Sequence, residues 1–201
     1  MPGPNPSALR ENVNRRVLFM RSMLAQPRQV GAVWPTSRRA VRDLLDMGDI
    51  PKARIVVEFG VGTGVYTQQI VERLGPEATF LAFEIDPKLA SAVSRKLEDP
   101  RLQVINDSAE NVEEYLEGQK ADIVVSSLPF TTFPAPLRES IMAVSRRILS
   151  PAGMMLVLQY SPKVLPLLQN RFSQIRRRIS PLNVPPAFLY ACQDPGPERD
   201  V

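Results

Sequence analysis

The chain has 201 residues, with 25 Lys and Arg against 21 Asp and Glu, no histidine and a single cysteine, Cys192. This length is enough for one domain with its own hydrophobic core. The missing histidines and the lone thiol exclude histidine-based acid–base catalysis, an internal disulfide and the usual zinc or haem sites, so we expect no metal.

The first 42 residues concentrate positive charge, with eight arginines against one acid, Glu11. From Leu9 to Leu24, apolar residues recur at helical spacing while arginines occupy mostly the other arc. This pattern predicts a basic amphipathic helix of the kind that lies in a lipid interface. A helix packed on the domain fits equally well, and the arginines also suit nucleic acid. The chain lacks an apolar run of ~20 residues and an apolar signal core, which predicts a cytoplasmic protein, free or on a membrane surface.

We predict three parts: an N-terminal helical segment over 1–48, a folded domain over 49–194 and a loose tail over 195–201. Short apolar runs alternate with helical patterns along the domain. Strands are predicted near 54–59, 79–85, 102–106, 121–127 and 153–160, with helices near 64–74, 87–98, 109–117 and 136–149. This alternation predicts a Rossmann-like α/β fold with a mostly parallel sheet and helices on both faces. After Tyr160, a short helix and the runs SQIRRRIS and PPAFLYACQ predict an antiparallel C-terminal hairpin.

The stretch VVEFGVGTGVYT, residues 56–67, places three glycines directly after the first strand. In an open parallel sheet, ligands bind beyond the carboxyl ends of the strands, and glycines let a ligand approach the backbone. The spacing Gly60-x-Gly62-x-Gly64 lacks the dinucleotide pattern GxGxxG and the Lys-Ser/Thr of a P-loop. It therefore favours neither a hydride cofactor nor a P-loop nucleotide.

Three acids stand at the ends of three successive strands: Glu58, Glu84 and Asp107. An acid about 20 residues after such a turn can accept hydrogen bonds from ribose hydroxyls, as expected for Glu84. Asp107 can accept from an exocyclic amine. The set fits an adenosine that carries a positively charged amino-acid tail. Alternatively, Glu58 caps a turn, and the other two acids are solvated.

The segments EFGVGTG, FEID, NDSAE and SSLPF together resemble class I S-adenosylmethionine-dependent methyltransferases over roughly residues 50–195. The resemblance implies a seven-stranded sheet, S-adenosyl-L-methionine as cofactor and S-adenosyl-L-homocysteine as product. It places Glu58 and Gly60 near the methionine, Glu84 on the ribose, and Asp107 with Ser108 at the adenine. The remaining residues expected at the cofactor are Gly62, Thr63, Gly64, Ile85, Ala109 and Ser126.

The segment SSLPFTTFPAP follows the fourth strand, where this superfamily places residues that face the methyl acceptor. In related enzymes that methylate amines of nucleic acids, a polar residue before Leu-Pro-aromatic accepts from the target nitrogen, and Ser127 fills that position. Phe130 offers a π face that attracts a cationic nitrogen by ~0.5–2 kcal/mol. An ordinary turn over a core aromatic remains the alternative.

The segment QPRQVGAVWPTSRRAVRDLL, residues 26–45, together with FMRSML and SSLPFTTFP, resembles bacterial phospholipid N-methyltransferases. That family converts phosphatidylethanolamine stepwise to phosphatidylcholine, which implies a peripheral protein at the inner membrane. The residues expected to bind substrate are Trp34, Ser37, Arg38, Tyr66, Phe130 and Lys163. Trp34 can instead pack on the domain edge, and Ser37 can cap the following helix. Arg38 and Lys163 are candidate phosphate anchors, alongside Arg39 and residues 176–178.

Without histidine, the catalytic candidates are Tyr160, the Ser127 hydroxyl and the Leu128 carbonyl, which we expect to position the amine rather than act as strong bases. Two other functions remain open. FEIDPKLA and SLPF also resemble RNA adenine dimethylases, although those enzymes usually have asparagine at the position of Ser127 and carry a further helical domain. The third reading is an inactive cofactor-binding membrane adaptor. We expect a monomer.

Overall fold

The computed structural model of the chain describes residues 36–183 and 185–194. The predicted amphipathic helix, Trp34 and the tail over 195–201 lie outside the described residues. Among the helices that are described, none is long and apolar enough to cross a membrane.

Seven strands form one sheet in the order β3-β2-β1-β4-β5-β7-β6. The strands β1 to β5 pair in parallel, and β7 runs antiparallel to both β5 and β6. Their bounds are Ile55–Phe59 (β1), Thr79–Phe83 (β2), Leu102–Ile105 (β3), Ala121–Ser126 (β4), Leu149–Gln159 (β5), Gln174–Ser180 (β6) and Ala187–Gln193 (β7). The predicted seven-stranded, mostly parallel sheet with a C-terminal hairpin is confirmed.

Six α-helices are described: Arg38–Leu45 (α1), Val65–Val71 (α2), Pro87–Lys96 (α3), Val112–Leu116 (α4), Ala135–Ile148 (α5) and Leu165–Gln169 (α6). Short 3-10 turns cover Ile50–Lys52, Ala109–Asn111 and Pro162–Val164. The segment predicted as one helix over 109–117 is therefore divided, because the Ser108 hydroxyl accepts from the Glu110 amide and starts a 3-10 turn first.

The strand β5 begins four residues before its predicted start. Pro151 lies in this added part of the strand and Gly153 at the predicted start, and both residue types weaken sheet pairing. The ladder accommodates them by an irregularity: Ala121 of β4 pairs with Leu149, whereas Ile123 pairs with Met154.

The helix α1 packs on the sheet through Ala40, Val41, Leu44 and Leu45, all of them buried. They join a core with side chains of α2, α3 and the strands, among them Tyr66, Ile70 and Val93. Burial of each large apolar side chain contributes about 1.5–3 kcal/mol.

Because β1 to β5 are parallel, their carboxyl ends meet at one edge of the sheet, here called the carboxyl edge. The segments that follow these strands contain most of the predicted site residues.

Candidate active site at the carboxyl edge

The turn after β1 passes through left-handed backbone at Gly60 (φ 86°), Gly62 (φ 56°) and Gly64 (φ 81°). Residues with side chains rarely adopt these angles. A Cβ on Gly60 would lie 2.9 Å from Leu128 Cδ2, whereas a Cβ on Gly62 would meet no atom within 4 Å. Gly60 is therefore needed for packing, and Gly62 leaves open space for a ligand.

Gly64 and Thr63 occupy different surroundings in the same turn. A Cβ on Gly64 would lie 3.0 Å from Val93 Cγ2, so this glycine allows α3 to pack closely on the start of α2. Thr63 is exposed. Of the three glycines, Gly62 thus has the surroundings expected of a ligand-facing residue.

Glu84 follows β2 and is buried. Its Oε2 accepts from the Gly62 amide at 2.8 Å, and its Oε1 accepts from the Asp86 amide at 2.9 Å. The carboxylate therefore fixes the glycine turn against the end of β2. Each carboxylate oxygen has a second lone pair, which can still accept from a ribose hydroxyl. The next residue, Ile85, is also buried.

Glu58 lies within β1 and is only 1% exposed, yet neither of its carboxylate oxygens has a hydrogen-bond partner among the described residues. Burial raises the pKa of Glu58 to about 8; the neighbouring Thr67 hydroxyl lowers this pKa, and the charge of Glu84 raises it. A buried carboxylate without a partner is costly unless a cation pairs with it. The ammonium group of an amino-acid tail would be such a cation.

Asp107 is held by residues that the sequence analysis missed. Its Oδ1 accepts from the Ser108 amide at 2.6 Å and from Asn111 Nδ2 at 3.0 Å, and its Oδ2 accepts from the Tyr115 hydroxyl at 2.9 Å. Ser108 and Ala109 are buried beside it. The Tyr115 ring also contacts Phe83 edge-on, which places α4 beside the end of β2. No motif in the sequence marked Asn111 or Tyr115.

The turn after β4 is joined directly to the glycine turn. The Ser127 hydroxyl donates to the Gly60 carbonyl at 3.0 Å, and the Ser127 amide donates to the Phe59 carbonyl at 3.3 Å. The buried Ser126 hydroxyl accepts from the Leu128 amide at 3.3 Å. The Ser127 oxygen retains lone pairs for an incoming N–H group.

The Leu128 carbonyl already accepts two hydrogen bonds, from the Phe130 amide at 2.8 Å and from Gln159 Nε2 at 2.7 Å. Both of its lone pairs are therefore in use, which leaves little capacity to accept from a substrate amine. Gln159 was missed by the sequence analysis, although a polar residue in the apolar run LVLQ was an available signal.

Tyr160, at the end of β5, shares a hydrogen bond of 2.7 Å with the Thr36 hydroxyl. Tyr66 is buried, and its hydroxyl has no hydrogen-bond partner among the described residues. Burial raises the pKa of Tyr66; the neighbouring Thr36 lowers it, while Tyr160 and Glu58 raise it further. The two tyrosines and Glu58 thus form one cluster beneath the start of α1.

The other described residues that were predicted to bind substrate lie in three places: at the start of α1, in a cleft between α1 and α2, and in a cleft beside Phe130. The Ser37 hydroxyl accepts from the Ala40 amide at 3.1 Å and caps α1. Phe130 is fully buried and contacts Phe133 edge-on. Arg38 lies in a cleft of about 300 Å³ between α1 and α2, here called the basic cleft, whose cationic lining residues are Arg38, Arg39, Arg42, Arg73 and Lys96. Lys163 lies in a second cleft of about 270 Å³ beside Phe130.

Comparison with known proteins places residues 56–153 in a family model described as a methyltransferase domain. The chain is 27% identical over 181 residues to an ornithine lipid N-methyltransferase from Singulisphaera acidiphila, covering 88% of this chain and 94% of that protein. It is 29% identical over 126 residues to ribosomal RNA small subunit methyltransferase A from Dehalococcoides mccartyi, covering 61% of this chain and 41% of that protein.

The fold is similar to that of a 16S rRNA methyltransferase from T. thermophilus, solved in complex with AdoMet and guanosine. The TM-score is 0.60 at 20% identity, and the match covers 81% of this chain and 44% of that one. This chain thus spans less than half of the length of both rRNA methyltransferases.

S-adenosylmethionine is the cofactor of this fold, and the geometry of the carboxyl edge suits it. Open space stands over Gly62, Glu84 keeps free lone pairs, and Glu58 lacks a cationic partner. Residues 56–153 thus match a methyltransferase domain model, and the described chain has the class I S-adenosylmethionine-dependent methyltransferase fold.

Proposed function

We propose that this protein transfers methyl groups from S-adenosylmethionine to the amine of a membrane lipid. The proposed substrate is phosphatidylethanolamine, which would pass through mono- and dimethyl intermediates to phosphatidylcholine. The observation that carries the proposal is the similarity to an ornithine lipid N-methyltransferase, which extends over 94% of that protein. The same similarity makes ornithine lipid a second candidate substrate.

The side chains at the acceptor end of the edge suit an amine. The hydroxyls of Ser127 and Tyr160 are anchored by hydrogen bonds to Gly60 and Thr36, and both oxygens can accept from an N–H group. The chain has no histidine that could act as a base. These residues would therefore orient the amine while water takes the proton.

When bound, S-adenosylmethionine would supply an electrophilic methyl group. In each round the lipid ammonium first loses one proton to water, and the neutral amine then accepts the methyl group and becomes a methylated cation, while S-adenosylhomocysteine is released. The protein's main contribution to this reaction is alignment of the two reactants. An amine buried beside Tyr66 and Tyr160 would have a lowered pKa, since burial disfavours the charged form. The aromatic faces would also hold a methylated, permanently charged nitrogen.

We also propose that the protein is cytoplasmic and associates peripherally with an anionic membrane surface. The basic cleft supports this proposal. Arg39 and Arg73 pair with Asp43 and Asp46, while Arg38, Arg42 and Lys96 have no ion pair among the described residues. Each uncompensated cation near an anionic leaflet contributes about 1 kcal/mol before screening by salt.

An adenine of RNA is the alternative acceptor. It is favoured by the similarity to ribosomal RNA small subunit methyltransferase A, and the cations of the basic cleft would also suit phosphates of RNA. We favour a lipid as the methyl acceptor because the match to the lipid N-methyltransferase covers 88% of this chain, whereas the match to the rRNA methyltransferase covers 61%.

One experiment separates these functions. Methyl-labelled S-adenosylmethionine is incubated with the protein and one of three acceptors: anionic vesicles that contain phosphatidylethanolamine, vesicles that contain ornithine lipid, or structured RNA. Label in a lipid supports the proposal and identifies the substrate, whereas label only in RNA overturns it. Label in none of them, with S-adenosylhomocysteine still bound in calorimetry, would favour the inactive adaptor.

A truncation tests the membrane role of the N-terminal segment. Deletion of residues 1–25 is expected to lower vesicle binding and to leave S-adenosylhomocysteine binding unchanged. Vesicle binding that survives the deletion intact would contradict that role.

A further inference from the structure

A cleft of about 270 Å³, here called the anion cleft, lies where the segment after β4 meets the segment after β5. Its lining includes Phe130, Arg138, Glu139, Lys163, Val164 and Leu167. Arg138 and Glu139 belong to the first turns of α5, and Lys163 to the 3-10 turn after β5. The cleft is therefore assembled from two stretches that are distant in sequence, residues 130–139 and residues 163–170.

The charges that line the cleft do not balance. Glu139 Oε2 is bound by Arg171 Nη2 at 2.6 Å, so this carboxylate is already paired. Arg138 Nε lies 4.0 Å from Glu139 Oε1, too far for a hydrogen bond, and is buried without a partner. The ammonium group of Lys163 has no hydrogen bond or ion pair with any described residue. Two cations, Arg138 and Lys163, thus line the cleft against one carboxylate, Glu139, which Arg171 already binds at shorter distance than Arg138 does.

A buried guanidinium N–H without an acceptor costs free energy that a bound anion would recover. The rest of the lining combines four apolar residues, Phe130, Val164, Pro166 and Leu167, with the polar residues Thr131 and Asn170. An anion attached to hydrocarbon suits this mixture better than a free inorganic ion, which would be fully hydrated.

The anion cleft adjoins the proposed amine position. Phe130 lies two residues after Leu128, and Lys163 lies four residues after Gln159, whose amide group donates to the Leu128 carbonyl at 2.7 Å. In phosphatidylethanolamine the amine and the phosphodiester are only a few bonds apart, and in ornithine lipid the amine and the carboxylate are similarly close.

We infer that the anion cleft is the subsite for the anionic group of the lipid headgroup, which Arg138 and Lys163 bind while the amine lies beside Ser127 and Tyr160. This inference rests on the proposed lipid function. It assigns the anchoring of the substrate to α5 and the turn after β5, and it leaves the basic cleft for the membrane surface.

The test compares Arg138→Ala, Lys163→Ala and the double variant with the parent protein, using vesicles that contain phosphatidylethanolamine or ornithine lipid. Loss of a charge-assisted hydrogen bond is expected to raise KM for the lipid about tenfold in each single variant. The rise should be larger in the double variant, whereas kcat and the affinity for S-adenosylhomocysteine should change less than about threefold. Lys163→Arg should retain most of the affinity, because it keeps the charge.

A matched control is Lys52→Ala combined with Arg54→Ala, which removes two exposed cations at the opposite edge of the sheet, before β1. Its KM should stay at the parent value, so that a general loss of positive charge is distinguished from loss of the cleft. Lys163 is exposed and has no side-chain partner, so Lys163→Ala is expected to fold even if Arg138→Ala does not.

The outcomes separate the two proposals. A KM that rises with either lipid supports the inference, and the lipid with the larger rise identifies whether phosphate or carboxylate is bound. An unchanged KM in the double variant, with the lipid still methylated, overturns the inference alone. A parent protein that methylates neither lipid overturns the proposed function and the inference together.

Discussion

The two halves of the carboxyl edge are built in different ways. The cofactor half, formed by the turns after β1, β2 and β3, is held by contacts over short stretches of chain: Asp107 with Tyr115 eight residues away, and Glu84 with Gly62 22 residues away. The acceptor half, formed by the turns after β4 and β5, uses longer ones, up to 124 residues between Thr36 and Tyr160. The proposed cofactor half is thus held by contacts that are more local in sequence than those of the proposed acceptor half.

The largest expected effect concerns the cofactor half alone. Glu84→Ala removes the acceptor for the Gly62 and Asp86 amides, and it is also expected to remove the predicted acceptor for the ribose hydroxyls. Two lost charge-assisted hydrogen bonds correspond to at least about 100-fold weaker binding of S-adenosylhomocysteine in calorimetry. Vesicle binding should remain at the parent level, because no acceptor residue is touched.

Glu77→Ala serves as the control for Glu84→Ala, since Glu77 is exposed before β2. It should bind S-adenosylhomocysteine with the affinity of the parent. Glu84→Ala with an affinity within about threefold of the parent would contradict the ribose assignment.

Glu58 makes the cofactor half sensitive to pH. Its folded-state pKa of about 8 lies above the ordinary pKa of a glutamic acid, 4.5, so between these pH values the folded protein holds a proton that the unfolded chain would release. An ammonium group prefers the ionised carboxylate, and binding below pH 8 must expel that proton. The affinity for S-adenosylhomocysteine is expected to rise by up to about tenfold per pH unit from pH 6 to 8.

Glu58→Gln should remove this slope, with calorimetry in buffers of different ionisation enthalpy detecting the missing proton release. The same substitution should raise the Tm of the ligand-free protein near pH 8. The free energy of unfolding of the parent falls as pH rises from 4.5 towards 8. In this range the unfolded chain releases the Glu58 proton while the folded protein keeps it, so rising pH favours the unfolded chain. If the affinity for S-adenosylhomocysteine depends on pH equally in Glu58→Gln and in the parent, Glu58 does not bind the ammonium group.

The contrast between the halves explains what the sequence could predict. The order of strands and helices and the glycine turn follow from periodicity and from short motifs such as EFGVGTG. Sequence spacing could not show that the Gln159 side chain donates a hydrogen bond to the Leu128 carbonyl, or that Arg138 and Lys163 line the same cleft. Those contacts exist only after β4, β5 and α5 have packed, and no local pattern encodes them.

A pair of tyrosines tests the division between the halves. Tyr160→Phe removes the hydroxyl that is bonded to Thr36 and is expected to lower kcat on the lipid about tenfold, with S-adenosylhomocysteine affinity nearly unchanged. Tyr115→Phe removes the hydroxyl bonded to Asp107 and should weaken S-adenosylhomocysteine binding a few-fold, with little effect on kcat. If both variants changed kcat and S-adenosylhomocysteine affinity in the same way, the two halves would not act separately.

The smallest expected effect concerns stability rather than either half. Ser37 was proposed to bind substrate, but its hydroxyl accepts from the Ala40 amide and caps α1, whose apolar face is buried on the sheet. Loss of such a cap costs about 1 kcal/mol. Ser37→Ala should therefore lower Tm by roughly 2–4 °C in a chain of this size. If capping is its whole role, Ser37→Gly should lose only a few tenths of a kcal/mol, since glycine is tolerated at this position. Both variants should then keep the parent KM for the lipid. A KM that rises in both variants would show that Ser37 also binds the lipid.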